Sequence, residues 1–248
     1  MGSTIAVISD IHGNCFALDA ALADLRKHPA DQIVCLGDAV QGGAQPSQTV
    51  ARLREIGCPI VMGNADAWLL TGEDANSTEQ VTQKQLEARE WALSQLSPGD
   101  RDFISKFKPT IEVTLDGIKL LCFHGSPTSF DDIILPDTPE EEVQNLLASY
   151  LPSIMTGGHT HTQFVRRLGE GAFFFNPGSI GVAYNRYLPE EAFHLDAWAE
   201  YAVLTVEAGR IGLEFRRVQY DFDAFARFVL SSGRPNAEEF VAQYRSTR

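Results

Sequence analysis

Short apolar runs separated by polar turns dominate this chain, and six of them stop at a residue able to bind a cation or a phosphate. Thr4–Ser9 stops at Asp10 and His12, Ile33–Leu36 at Gly37-Asp38, and Ile60–Met62 at Gly63-Asn64. Lys119–Phe123 stops at His124, Ser153–Thr156 at Gly157-Gly158-His159-Thr160-His161, and Phe173–Phe175 at Asn176-Pro177-Gly178-Ser179. Runs this short and this rich in Ile, Val, Leu and Phe predict buried strands. In α/β sheets, ligands gather at the carboxyl ends of strands. The pattern therefore predicts one sheet edge carrying Asp10, His12, Asp38, Asn64, His124, His159 and His161.

Between the runs, helical spacing takes over. Asn14 is a predicted cap for a helix to about Lys27, with Leu18, Ala21, Leu22 and Leu25 on one face. Pro46 and Ser47 open a second helix through Ile56, and Gly57 is its natural stop. With the flanking strands this makes β-α-β-α-β, which favours a parallel sheet. Further helices are predicted over Gln80–Leu96, over Arg101–Phe107 after a turn at Ser97-Pro98-Gly99-Asp100, and over Pro139–Tyr150. They form inserts near 66–110 and 128–150, expected to make a partial cap over the site. Alternating polarity in Tyr201–Val206 and Ile211–Val218, around Glu207-Ala208-Gly209-Arg210, predicts a hairpin. Two closing helices are expected near 221–230 and 236–245. No repeat and no Pro- or Gly-rich linker divides the chain, so 1–248 reads as a single domain.

Charge narrows the partners. A net charge of −13 opposes nucleic-acid backbones, and no Lys/Arg run exceeds a pair such as Arg166-Arg167. No apolar stretch approaches the roughly 20 residues of a membrane span. Met1-Gly2-Ser3-Thr4-Ile5 leads straight into a strand, so no signal peptide is expected. Cys15, Cys35, Cys58 and Cys122 form no CxxC pair and read as reduced structural thiols, which fits a cytoplasmic protein.

The candidate ligands then acquire a chemistry. Asp10-x-His12 and His159-x-His161 each put two donors on one side of an extended segment. Asp38, alone after its strand, suits a carboxylate that bridges two cations through its two oxygens. Asn64 offers a neutral carbonyl oxygen. Mixed His and carboxylate ligation favours Mn, Fe, Ni or Zn over Ca or Mg. Two such ions roughly 3.5–4 Å apart can hold a hydroxide and clamp phosphoryl oxygens during in-line displacement. Set against Asp10, Asp38 and hydroxide, they leave the site positive, so it should attract an anion.

The order Asp-x-His, Gly-Asp, Gly-Asn, His, Gly-His-x-His, running from Asp10 to Ser179, resembles the calcineurin-like metallophosphoesterase superfamily. The resemblance implies an α/β fold, a two-sheet β-sandwich flanked by helices. It gives Asp10, His12, Asp38 and His161 to one metal, and Asp38, Asn64, His124 and His159 to the other. It implies a metal-bridging hydroxide as nucleophile, with Asp38, Asn64 and His124 in catalytic roles. Asn64 and His124 would also orient substrate oxygens, and the Asn176–Ser179 turn would lie beside the metals, making Asn176 and Ser179 substrate contacts.

The branch follows from the departures. Asp10-Ile11-His12-Gly13-Asn14 resembles the opening of protein Ser/Thr phosphatases. Those continue with Gly-Asp-x-Val-Asp-Arg-Gly, whose arginine grips phosphate; here the segment is Gly37-Asp38-Ala39-Val40-Gln41-Gly42-Gly43. They also carry Gly-Asn-His-Glu, whose histidine protonates the leaving group; here it is Gly63-Asn64-Ala65-Asp66. Alanine cannot donate a proton, although Asp66 remains where relatives keep the acid that orients that histidine. The match is closer to the small bacterial and archaeal phosphodiesterase-like branch. The implied activity is hydrolysis of a small phosphodiester or activated phosphomonoester with two divalent ions, manganese among the candidates. A protein phosphatase or dinucleoside polyphosphate hydrolase is one alternative. A non-catalytic scaffold of the same fold is another. The ligand set leaves the metal, the physiological substrate and the oligomeric state open.

Overall fold

A computed structural model describes residues 2–73, 81–150, 154–169 and 171–245. In chain order the elements are β1 (Ser3–Ile8), α1 (Cys15–Lys27), β2 (Gln32–Cys35), α2 (Pro46–Ile56), α3 (Asn64–Thr71), α4 (Gln83–Ser94) and α5 (Pro98–Ile104). They continue with β3 (Ile111–Leu115), β4 (Ile118–Cys122), α6 (Glu140–Leu147), β5 (Ile154–Thr156), β6 (Phe164–Arg167) and β7 (Phe173–Asn176). The chain closes with β8 (Leu195–Asp196), β9 (Trp198–Glu207), β10 (Arg210–Gln219), α7 (Phe222–Ser231), α8 (Ala237–Ala242) and β11 (Tyr244–Arg245).

The strands form two main sheets rather than one. The first has the order β10-β9-β1-β2, the second β3-β4-β5-β7-β6. Strand β1 explains how they stack, because successive strand side chains face opposite ways. Ile5 and Val7 point inward and pack with Leu120, Cys122, Ile154 and Phe175 of the second sheet. Ala6 and Ile8 point outward into a core shared with Leu18 and Ala21 of α1, Val50 and Leu53 of α2, and Phe225 of α7. On the far side, Phe123, Met155 and Phe174 pack under Val143 and Leu147 of α6. The molecule is thus a helix–sheet–sheet–helix stack, the two-sheet sandwich that the motif order implies.

Local signals behave as their chemistry dictates at most termini. Asn14 caps α1, its Oδ1 accepting from Ala17 N, and Gly57 ends α2 in the left-handed conformation. Three expectations change. Ile60–Met62 is not a strand; Ile60 and Val61 make only isolated bridges, to Cys35 and Lys108. Its extension is cut short because Asn64 already begins α3, a helix the periodicity did not predict. Ser97–Asp100 is not a free turn but the start of α5, with Ser97 and Asp100 capping each other's backbone amides. Two of the predicted runs begin at Gln80 and Ser153, which lie outside the described residues. Of the two inserts, α3 and α4 border the cleft described below, whereas α6 packs on the outer face of the second sheet. No helix among the described residues is long and apolar enough to cross a membrane.

Candidate metal centre

All seven predicted donors meet at one end of the sandwich, but across both sheets. Asp10, His12 and Asp38 follow strands of the first sheet; His124, His159 and His161 follow strands of the second. Asn64 joins them from the first turn of α3. The donors fall into two groups, Asp10 with His12 and His161, and Asp38 with His124 and His159.

The backbone that carries them is not extended. Asp10, His12, Asp38, His159 and His161 all have positive φ, between 46° and 65°. Non-glycine residues avoid this region at roughly 1–2 kcal/mol each. It persists because the loops are zipped together. Asp10 N donates to Gly37 O, His12 N to Asp38 O and Gly13 N to Ala39 O, at 2.9–3.0 Å. Gly181 N donates to Asp10 O and Gly158 N to His124 O. The paired donors of Asp10-x-His12 and His159-x-His161 therefore converge through left-handed turns beyond the strands, not through strand alternation.

Close approach makes two glycines necessary. A Cβ on Gly63 would lie 2.1 Å from Asp38 Oδ1, and one on Gly158 would lie 2.1 Å from Ser9 Oγ and 2.7 Å from Asp10 Oδ2.

Three of the four histidines are aimed by their second nitrogen. His12 Nδ1 donates to Gln41 O (2.7 Å), His124 Nδ1 to Leu36 O (2.8 Å) and His161 Nδ1 to Val182 O (3.1 Å). Such carbonyl partners keep a proton on Nδ1 and turn Nε2 toward the centre as the ligating atom. Those nitrogens face one another and face oxygens. His12 Nε2 is 3.2 Å from His161 Nε2, which is 3.2 Å from Asp10 Oδ1. His124 Nε2 is 3.0 Å from Asn64 Oδ1, and His159 Nδ1 is also 3.0 Å from it. Asp10 Oδ1 is fully buried with no hydrogen-bond donor. Acceptors crowded this closely repel unless a cation sits among them, so the donor set fits metal ions.

Asp38 is the shared element. Its Oδ1 accepts from Ala65 N at 2.8 Å. Its Oδ2 lies 3.3 Å from His124 Nε2 and 3.8 Å from His12 Nε2, facing both groups. A bridge would thus run through one oxygen, the other being held by a backbone amide. Burial alone would raise the Asp38 pKa, but His124 and the other imidazoles hold it well below the usual carboxylate range. Asp10 is likewise lowered, with burial opposed chiefly by His161. His124 moves the other way: burial opposes its charge, yet Asp38 pushes its pKa well above the histidine norm. Burial lowers His12 and His159, keeping them neutral.

Asn176 and Ser179 sit elsewhere than expected. Both are fully buried. Asn176 Nδ2 donates to Gly158 O and Thr160 Oγ1, while its Oδ1 accepts from Gly178 N. Ser179 Oγ donates to Asp10 O and accepts from Val182 N. Their polar atoms brace the ligand loops from behind instead of facing the cleft. Asp66 is also redirected. Its two oxygens accept from Ala39 N and Val40 N at 3.0 Å, fixing the turn after Asp38, so it is not available to orient a group at position 65. The signal for this role was present as an acid in the first turn after Asn64, but only with α3 known does it read as a loop anchor.

The cleft over the donors has a volume of about 260 Å³ and is lined by His12, Asn64, Ala65 and Trp68, with Gln41, Gly42, Val81 and Gln85. His12 is its one titratable side chain among the described residues, and both of its ring nitrogens are committed.

Comparison with known proteins agrees with this architecture. The family model of the calcineurin-like phosphoesterase superfamily domain matches residues 4–208. The uncharacterized protein MJ0912 of Methanocaldococcus jannaschii is 29% identical over 235 residues, covering 88% of each chain. The crystal structure of a metallophosphoesterase from Sphaerobacter thermophilus superposes with a TM-score of 0.73 at 22% identity, covering 98% of both chains. The hypothetical protein PH1004 from Pyrococcus horikoshii OT3 superposes with a TM-score of 0.79 at 18% identity, covering 97% of this chain and 96% of that one. These two structures share the fold, and the family match runs through every donor from Asp10 to His161. The chain belongs to the calcineurin-like phosphoesterase superfamily.

Proposed function

We propose that this protein is a hydrolase that uses two divalent transition-metal ions, manganese being a suitable choice, to cleave a small phosphodiester or an activated phosphomonoester. The observation that carries the reading is Asp38 Oδ2, which lies between the Nε2 atoms of His12 and His124. Ions held there supply Lewis acidity toward phosphoryl oxygens and an activated water for in-line displacement. The chain's own residues supply the rest. Main-chain carbonyls behind His12, His124 and His161 keep their Nε2 atoms turned toward the centre. Asn64 contributes a neutral oxygen from the start of α3, and with His124 it borders the position where substrate oxygens approach. Asp10 and Asp38 set the charge that retains the cations.

Proton supply to the leaving group distinguishes the substrate class. Ala65 stands on the cleft wall, and the lining offers no free acid among the described residues. A leaving group must therefore depart unprotonated or take its proton from water. General acid help is worth about 10²–10⁴-fold, so aryl diesters should be cleaved and alkyl monoesters poorly. All four cysteines are unpaired, which supports a reducing compartment such as the cytoplasm.

The test is a hydrolysis panel across Mn, Ni, Co, Zn and Mg. Bis(p-nitrophenyl) phosphate should be turned over with at least one transition metal. Equal rates on phosphoserine peptides and aryl diesters would contradict the reading.

A further inference from the structure

Beside the metal centre the cleft continues into a second hollow of about 210 Å³, which shares Gln41, Gly42 and Gln85 with the first. Its wall carries two cations, Lys84 and Arg234, and one carboxylate, Glu239. Lys84 is engaged by Glu239 at 2.6 Å. Arg234 has no carboxylate within ion-pair distance among the described residues. Its Nε and Nη2 donate to Gly42 O at 3.1 and 2.9 Å, and its Nη1 donates to Pro235 O at 2.8 Å. Phe240 lies under the guanidinium, 4.0 Å from its carbon to the ring centroid.

These contacts fix the fork and leave it incomplete. A guanidinium has five N–H donors, and main-chain carbonyls take three of them. One N–H on each terminal nitrogen remains, the geometry that binds a carboxylate or phosphate in bidentate fashion. Burial lowers the Arg234 pKa, and Tyr244 opposes that shift only in part. In a chain of net charge −13, this wall is locally positive. The anchor is also adjacent to the donors. Gln41, next to Gly42, holds His12 Nδ1 with its carbonyl, and a Cβ on Gly42 would lie 3.2 Å from that same nitrogen. One short backbone segment separates the guanidinium from the metal centre.

We propose that Arg234, assisted by Lys84, forms an anion-binding subsite beside the metal centre, so that the substrate is a phosphate ester whose leaving portion carries a second anionic group. The subsite takes an oxygen acid, carboxylate or phosphate, joined to the scissile phosphate by a short linker. This deepens the phosphoesterase reading and rests on it for the phosphate end.

The test uses the full-length protein loaded with Mn²⁺ and isothermal titration calorimetry. A series of ω-phosphonocarboxylates of increasing chain length is compared with alkylphosphonates of the same lengths. A parallel series ending in a second phosphonate reads which anion is preferred. At one length the second anion should tighten binding by about tenfold or more, the scale of a charge-assisted hydrogen bond. Arg234→Met keeps the apolar contact with Phe240 and should abolish the gain while leaving alkylphosphonate affinity in place. Glu239→Gln, at an exposed position, frees Lys84 and should enlarge the gain; it carries the test if the Arg234 variant does not fold. Equal affinity for both series at every length, or a gain that survives Arg234→Met, would overturn the subsite. Failure of the alkylphosphonates themselves to bind would overturn the phosphoesterase reading beneath it.

Discussion

The two donor groups lie side by side yet are built differently. Asp10, His12 and His161 all stand on left-handed loop residues, and the two imidazole side chains are 14–15% exposed to the cleft. The second group is deeper, with the His124 side chain fully buried and Asp38 only 5% exposed. It is also tied to a helix, with Asn64 opening α3, although Asp38 and His159 stand on left-handed loop residues like the first group. One group is therefore the more accessible half and the other the more enclosed, with Asp38 Oδ2 facing both. If Asp38 serves both halves as proposed, damage to it should reach both, whereas damage to one set of loops should stay local.

The largest effects should come from displacing Asp38. Gly63→Ala pushes a Cβ into Asp38 Oδ1 and should strip metal from both groups, with activity falling by about 10²-fold or more, as expected when reacting groups are misplaced. Gly158→Ala crowds Ser9 and Asp10 instead, so metal loss should be confined to the first group. Elemental analysis of the two variants gives the contrast; equal losses would erase the proposed difference between the halves.

Asp66→Ala comes next. It leaves the buried amides of Ala39 and Val40 without acceptors, at about 1–3 kcal/mol for each group. Thermal unfolding should show that loss. Asp66→Asn should recover part of it, since one of its two acceptor oxygens remains. An unchanged melting temperature for the alanine variant would remove Asp66 from the account.

Acidification is expected to act more gently. In the metal-free chain Asp38 and Asp10 raise the pKa of His124, so the folded apo-protein holds a proton there above the pH where an ordinary histidine has lost its own. A cation must displace that proton, so metal affinity should rise with pH. The sign for folding follows as well. A histidine raised in the native state stabilises the apo-protein below its unfolded pKa, about 6.5. That contribution fades as pH climbs toward the raised value. Proton release on adding Mn²⁺ in weak buffer would check the first statement, and no release at neutral pH would contradict it.

The smallest effect concerns Ala65. Ala65→His puts an imidazole on the cleft wall, but Asp66 is turned toward Ala39 and Val40 and cannot orient it. The gain on alkyl relative to aryl esters should therefore be only a few-fold, against the 10²–10⁴-fold of a well-placed general acid. A large gain would mean that another group positions the new histidine.

What could be read from the sequence, and what could not, follows the same division. The donors were legible because Asp-x-His and Gly-His-x-His put rare residue types at the ends of apolar runs. The caps at Asn14 and Gly57 were legible because they act through neighbours in sequence. Long-range consequences were not. The positive φ at five donors depends on hydrogen bonds between loops as distant as Asp10 and Gly37. Asn176 and Ser179 carry polar side chains at a strand end, like the donors, and only burial separates a brace from a contact. Helix α3 was obscured because its first residue is itself a donor. Arg234 has no local signature at all, since its anchor, Gly42, lies far away in sequence.

Metal stoichiometry in two variants decides whether one carboxylate serves both donor groups. Purified wild-type protein, Asp10→Asn and Asp38→Asn would be loaded with Mn²⁺ and desalted, and metal per chain measured by elemental analysis. If Asp38 Oδ2 joins the two groups, the wild type should carry about two ions per chain, the number a dinuclear clamp requires. Asp10→Asn should keep close to half of that, because its group alone is weakened, and Asp38→Asn should keep almost none. Wild-type metal content in Asp38→Asn, or equal losses in both variants, would contradict the shared carboxylate.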